Sequence, residues 1–346
     1  MKQSDRGEGG LAPPLLKEGS LRKDLRWARE VSWRSFGKQI HFYVPSFSPH
    51  RSRLASALRG SYPSISITGS FCSLRCDHCG GKVLENMLSA TSPQKLAELC
   101  RSLKEKGAVG CLISGGCQPT GEVPLRRFLP AIRWVKRELG FHVAVHTGVV
   151  KDEELAWGLK EAEVDAVLVD VIGCEETVKQ VYHAELGVED YRRTLQLLHE
   201  AQVPLVPHVL VGLHHGRLRG EFKALKLISR YNPQALIIIV LNPLKGTVME
   251  SVTPPSPREV VQVIIHARKL MPATPLVLGC VRPLRRHRAE TDRLAVEAGV
   301  NAIAFPSEEA VRLAEKMGLD VSFSPFCCSQ VFSDLSQTPI RQQIQH

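Results

Sequence analysis

No stretch of the sequence approaches the run of about 20 apolar residues that a membrane-spanning helix needs. The first residues are polar and charged, without the apolar stretch of a secretion signal. The expectation is a cytoplasmic protein. No low-complexity tract points to a disordered chain, and no nucleic-acid-binding motif is present. Ten cysteines in a reducing compartment are unlike a disulfide framework. Clustered ones point to metal or catalytic use, and isolated ones to ordinary core packing.

What is there suits one large α/β unit. A chain of 346 residues accommodates a barrel of roughly 250 residues with extensions. With 43% hydrophobic and 23% charged residues it can bury a sizeable core. The net charge is +10, and the first sixty residues hold twelve basic against five acidic side chains. That basic segment is either a solvated surface or a contact for an acidic partner such as a carrier protein or a phosphorylated substrate.

Residues 1–20 read as loose. Residues 21–36 pattern as an amphipathic helix with Leu25, Ala28, Val31, Trp33 and Phe36 roughly on one side, followed by a short extended segment at 40–47. From residue 64 short β-branched runs alternate with helical stretches. Candidate strands are 64–68, 111–114, 142–146, 166–170, 205–211, 235–241, 275–279 and 302–305. Candidate helices are 93–106, 125–139, 151–162, 175–200, 221–231, 256–270 and 289–298. Mostly apolar strands alternating with helices imply a parallel sheet covered on both faces. Eight such units close a TIM-like (β/α)8 barrel; an incomplete, open barrel is the alternative. The expected division is a basic extension (1–60), a barrel (61–318) and a C-terminal tail (319–346) that folds back over the barrel mouth.

The sharpest signal is SFCSLRCDHCGGK. It sets Cys72, Cys76 and Cys79 in a C-x3-C-x2-C array directly after the first candidate strand. A tight loop brings three thiolates to one 4Fe–4S cluster and leaves the fourth iron open to chelate a substrate. Zinc is the competing reading, with His78 alongside, but the expectation is that no second paired half, C-x2-C or H-x3-H, follows. The place of the array at the carboxyl end of a barrel strand, where barrel active sites sit, favours the cluster.

At these residues the sequence resembles the radical S-adenosylmethionine superfamily, in the branch similar to biotin synthase and lipoyl synthase. The resemblance implies that the open iron binds S-adenosylmethionine. It also implies that Gly115 and Gly116, in ISGGCQP, meet the cofactor's methionine end through their backbone. Cys117 stands there where an acidic residue is common. Asp170, ending VLVD, would face the ribose or the substrate; a helix N-cap is the plainer alternative. His146 and Thr147 end the third strand and would face the mouth. VPHVLVGLHHG resembles the segment that packs on adenine, with Gly212 giving close backbone approach and His208, His214 and His215 as further candidates. VLNPLKGT holds the position that usually flanks adenine. Asp170 and His146 are the catalytic candidates; Gly115, Gly116, Asp170, Gly212 and His208 are the cofactor-binding ones.

The resemblance extends to a group in archaea and anaerobic bacteria that includes one subunit of a two-protein lipoyl synthase. It implies sulfur insertion into an octanoyl-lysine on a carrier. The N-terminal C-x4-C-x5-C array of ordinary bacterial lipoyl synthase is lacking, so an auxiliary 4Fe–4S cluster must use other cysteines. Cys117, Cys280, Cys327 and Cys328 are the candidates; scattered free thiols are the alternative. Cys100 and Cys111 read as core residues, and Cys174 stays open. Arg282, Arg285, Arg286 and Arg288 form a basic loop that either docks an acidic lipoyl-carrier protein or is merely solvated. An electron donor such as ferredoxin or flavodoxin and a second radical subunit complete the implied partners, with no nucleic acid or membrane among them. Two other readings remain: a single-cluster radical enzyme acting on a small molecule, and a non-catalytic Fe–S or zinc-binding interaction protein.

Overall fold

The computed structural model describes residues 18–45 and 61–336. Residues 1–17 of the segment read as loose, the end of the extended segment and the last ten residues of the tail therefore lie outside the described residues, while residues 18–20 already belong to the first helix.

The chain runs α1 (Glu18–Phe36), β1 (Gln39–Tyr43), β2 (Ser64–Ser66), β3 (Leu88–Ser89), α2 (Pro93–Glu105), β4 (Gly110–Ser114), α3 (Leu129–Leu139), β5 (His142–His146), α4 (Glu153–Glu161) and β6 (Ala166–Asp170). It continues α5 (Glu175–Thr177), α6 (Val188–Glu200), β7 (Leu205–Val211), α7 (Glu221–Ile228), β8 (Leu236–Val240), α8 (Pro257–Leu270), β9 (Leu276–Leu278), α9 (Arg286–Glu297), β10 (Ala302–Ala304), α10 (Glu308–Lys316), β11 (Asp320–Ser324) and α11 (Val331–Ser336). Local chemistry sets several boundaries. Ser256 caps α8 in a reciprocal capping box with Glu259, with Pro257 in the first turn. Asp152 caps α4 through the Leu155 amide, and left-handed Gly140 ends α3.

Among the described residues all strands are parallel, in the order β11-β1-β10-β9-β8-β7-β6-β5-β4-β2-β3. The expected TIM-like class holds, as one curled sheet of eleven strands rather than eight. The extra strands are β1, β3 and β11. β1, in the segment expected to be extended, enters between β10 and β11, with Tyr43 opposite Ala304 and Ser324. β3 lies in the loop between β2 and α2. β11 lies in the segment expected to be tail, and its exposed and half-buried residues carry no apolar alternation to announce it.

Alternation along each strand divides the core in two. Val143, Val145, Val167, Val169, Ile238 and Leu278 face the outer helices. Ala144, Leu168, Val206, Ile237, Val277 and Ala304 face the concave interior. The described tail does not cover the mouth. After β11 it turns inward, and Phe326, Cys327, Cys328 and Val331 pack into that interior cluster. The Phe326 ring meets those of Tyr62 and His142 near the amino ends of β2 and β5. Apolar surface explains the choice: these side chains leave water by plugging the curl and would gain nothing over an open mouth.

The stretch 175–200, expected as one helix, is broken. A π-helical turn at Val178–Tyr182 follows α5, His183 takes a left-handed φ of 52°, and α6 restarts after Gly187. The Glu175 carboxylate accepts from the Val188 amide, so the restart is capped from across the break.

Candidate active site

The loop after β2 carries Cys72, Cys76 and Cys79. It is pinned from several sides: the Ser73 amide donates to the Cys117 carbonyl (2.9 Å), the Asp77 amide to Val181 (2.9 Å) and the Gly80 amide to Cys76 (2.7 Å). Asp77 also pairs with His183 Nε2 at 2.6 Å, so the broken helix serves to hold this loop. The three thiols share one electrostatic environment. The hydrogen bond between Cys76 and Cys79 keeps a proton on Cys76 and favours the thiolate at Cys79, which His78 supports. Three thiols with one already inclined to ionise are the donor set a 4Fe–4S cluster takes.

The Gly115–Gly116 turn presses on this loop. A Cβ at Gly116 would lie 2.0 Å from the Phe71 carbonyl oxygen and 2.6 Å from Cys72 Cα, so no side chain fits. Thr68 fixes the turn: its hydroxyl accepts from the Gly116 amide (2.7 Å) and donates to the Phe71 carbonyl (2.9 Å). Sequence reasoning missed Thr68, although its place at the carboxyl end of the strand was a signal.

Cys117 belongs to this group. Burial raises its pKa to about 12, with Cys72, Asp170 and Cys79 adding to the effect. That separates it from the other three cysteines expected to share an auxiliary site, because its βα turn folds against the first loop. Cys280, Cys327 and Cys328 all border the interior apolar cluster. Burial raises Cys280 to about 11 with Cys327 contributing. Cys327 and Cys328 are hydrogen-bonded, and Cys280 acts on Cys328. They sit in the apolar interior with Tyr43, whose hydroxyl is bonded to Asp334. Cys100 and Cys111 are fully buried free thiols hydrogen-bonded to each other, as expected of core residues.

Between the two thiol groups the interior is polar. His146, Asp170 and His208 each stand two residues beyond an apolar interior residue (Ala144, Leu168, Val206), hence one layer nearer the mouth. Asp170 and His208 are register partners. His146 Nε2 lies 3.6 Å from Asp170 Oδ1, and the His146 and His208 rings are 5.7 Å apart. Burial would raise the Asp170 carboxyl, but His146, with His208 and His78, holds it down at about 2. For His146 the order reverses: burial lowers it, and Asp170 outweighs burial and raises it. His208 is driven to about 4, chiefly by burial.

Other expected residues fall elsewhere. Thr147 cannot share the cavity with His146, because adjacent strand residues face opposite sides. It is fully buried and bonds to the Gly148 and Leu168 carbonyls. His214 is buried against Thr177 and Arg219, and His215 is exposed at a left-handed turn. His142 and His146 do have an H-x3-H spacing, but four residue steps along a strand set them about 13 Å apart, and His142 turns to Tyr62 and Phe326. Gly212 has φ 82°, and a Cβ there would strike Pro255 at 2.5 Å. Its amide donates to Glu221 Oε1 (2.8 Å). Glu221, a residue sequence reasoning missed, is buried enough to titrate at about 7, and its Oε2 has no hydrogen-bond partner.

The basic loop is corrected as well. Arg282 is a fully buried structural residue. It forms a bidentate pair with Asp292 and donates to the Gly279, Ala304 and Phe305 carbonyls. Arg288 is also buried, bonding to Phe305 and Arg282 carbonyls. Orphan carbonyls at the ends of β9 and β10 demand these donors. Only Arg285 and Arg286 remain exposed, beside exposed Val281 and Leu284.

Residues 66–217 match the Radical SAM superfamily. The chain is 27% identical over 246 residues to the biotin synthase of Aromatoleum aromaticum, covering 70% of this chain and 74% of that one. It is 24% identical over 223 residues to the 7,8-didemethyl-8-hydroxy-5-deazariboflavin synthase of Archaeoglobus fulgidus, covering 58% of this chain and 65% of that relative's length. Among solved structures, methylornithine synthase superposes with a TM-score of 0.61 at 15% identity, over 93% of each chain. The FeFe-hydrogenase maturase of Carboxydothermus hydrogenoformans gives 0.61 at 16%, over 92% of this chain and 76% of the other. At those identities the two structures speak for the fold alone.

Proposed function

We propose, from the premise that this chain is a radical S-adenosylmethionine enzyme in the biotin synthase-like group of that superfamily, that it inserts sulfur into an aliphatic C–H bond. The observation that supports the reading is that Cys280, Cys327 and Cys328 border the interior apolar cluster, whereas Cys72, Cys76 and Cys79 pack against the other one. Members of the superfamily use a 4Fe–4S cluster and S-adenosylmethionine and draw on an electron donor.

Cys72, Cys76 and Cys79 would hold that cluster, which when bound supplies the electron that cleaves S-adenosylmethionine to methionine and a 5′-deoxyadenosyl radical. Cys280, Cys327 and Cys328 would hold an auxiliary 4Fe–4S cluster as the sulfur source, and Cys117 is not among its ligands. Gly115 and Gly116 offer backbone to the cofactor's amino-acid end and Gly212 to its adenine. Asp170 and His208 face its ribose side, and His146 with Asp170 orients the bound molecule between the two thiol groups. The interior plug of Phe326, Cys327 and Val331 keeps water from below.

An octanoyl-lysine on an acidic carrier is the substrate this reading favours. Exposed Arg285 and Arg286 beside Val281 and Leu284 offer a basic and apolar rim near the mouth. Ferredoxin or flavodoxin would serve as donor, with a second radical subunit adding the other sulfur. The test is anaerobic incubation of an octanoylated carrier peptide with this protein, its partner, dithionite and S-adenosylmethionine. A thiolated peptide in the mass spectrum is expected; none, with active clusters verified, sinks the proposal. The second reading, a single-cluster enzyme on a small molecule, draws on the deazariboflavin synthase relative and expects about four irons per chain instead of about eight.

A further inference from the structure

One nitrogen of His146, one nitrogen of His208 and one oxygen of Asp170 all lie within 4.8 Å of one another. His146 Nε2 stands 3.6 Å from Asp170 Oδ1, close to the roughly 3.0–3.5 Å between neighbouring ligands each bonded to one ion at about 2.0–2.2 Å. His208 Nδ1 is also buried with no hydrogen-bond partner, a cost a folded protein ordinarily avoids.

We infer that His146, Asp170 and His208 form a mononuclear divalent-metal site in the barrel interior, between the two thiol groups. Two imidazoles and one carboxylate are a borderline donor set that selects zinc or ferrous ions over calcium or magnesium. The three ligands come from the adjacent strands β5, β6 and β7, on residues fixed by sheet register. Rigid elements of this kind hold ligand geometry better than loops do. Three protein ligands leave at least one position open. His146 and Asp170 keep 25% and 32% of their side-chain surface accessible, and because they face inward that access opens on the cavity. The open position would take an oxygen or nitrogen donor of the molecule held beneath the cluster loop and orient its reacting carbon. The site is independent of the sulfur chemistry and serves equally under either reading of the substrate.

The test loads the anaerobically reconstituted holoenzyme with zinc alone, removes excess by desalting, and reads metal content together with the zinc X-ray absorption spectrum. About one zinc per chain with only nitrogen and oxygen neighbours is expected. His208→Ala and Asp170→Asn should each weaken zinc binding by at least about tenfold with iron content unchanged. Sulfur in the zinc shell would assign the metal to the cysteines and overturn the inference. So would the absence of stoichiometric zinc, or wild-type affinity in both variants. The wild-type spectrum decides the matter even if a variant fails to fold.

Discussion

The two thiol groups are built in opposite ways. Cys72, Cys76 and Cys79 lie within eight residues on one loop after β2, held by backbone hydrogen bonds to Cys117, Val181 and within the loop itself. Cys280, Cys327 and Cys328 come from the turn after β9 and from the inward-turning tail, and are held by apolar packing and by the Arg282 scaffold behind Cys280. The first group can form wherever the local loop forms. The second exists only when the whole curl is closed, because its members are brought together by β1, β10 and β11 associating. One group should therefore report local integrity, and the other global folding.

The largest expected effect breaks the first group: Cys76→Ala should reduce 5′-deoxyadenosine formation to background, read by chromatography after anaerobic incubation with dithionite and S-adenosylmethionine. Removing the second group should separate its chemistry from the first. The triple variant Cys280→Ala/Cys327→Ala/Cys328→Ala is expected to fall from about eight to about four irons per chain yet still form 5′-deoxyadenosine. An unchanged iron count would show that no auxiliary cluster resides there.

Arg282→Ala tests the scaffold. It leaves a buried carboxylate without its cation and removes the Arg282 donor from the Gly279 and Ala304 carbonyls, so a loss of about 3–5 kcal/mol is expected in denaturant unfolding, with the interior group lost before the loop group. A loss below about 1 kcal/mol would mean that the pair is not buried as described.

Glu221 tests the region around Gly212. Its pKa is raised from 4.5 to about 7 by burial, so between those values the folded state retains a proton that the unfolded state has lost. Stability should then fall as pH rises from about 4.5 to 7 and level off above, by about 3 kcal/mol in all. Glu221→Gln keeps an acceptor for the Gly212 amide and should flatten that slope; a slope unchanged in the variant would locate its cause elsewhere. The smallest effect is expected at Cys117. Cys117→Ser should leave the iron count at about eight, whereas a drop would return this residue to the auxiliary site.

The legible parts of the sequence were those with local causes. Strands 142–146, 166–170 and 205–211 coincide with β5, β6 and β7, since β-branched runs between capped helices declare themselves. Less legible were β3, two residues long, β11, without an apolar alternation, and the break after α5, which serves the distant Asp77. The paired glycines were readable as a turn, but their reason, the Cys72 backbone against Gly116, was not.

By itself the sequence determined the three-cysteine loop, because spacing in a tight turn is a property of consecutive residues. It also determined the strand–helix alternation that implies a parallel curled sheet. Only the tertiary structure decided where the remaining cysteines lie. Cys117 joins the first loop because its carbonyl accepts from the Ser73 amide, while Cys280 and Cys327 reach the same interior cluster from distant parts of the chain. It likewise decided that two arginines of a loop read as basic are interior scaffolding and that His146, Asp170 and His208 face one another. Burial and register are sums over many distant contacts, and no window of sequence contains them.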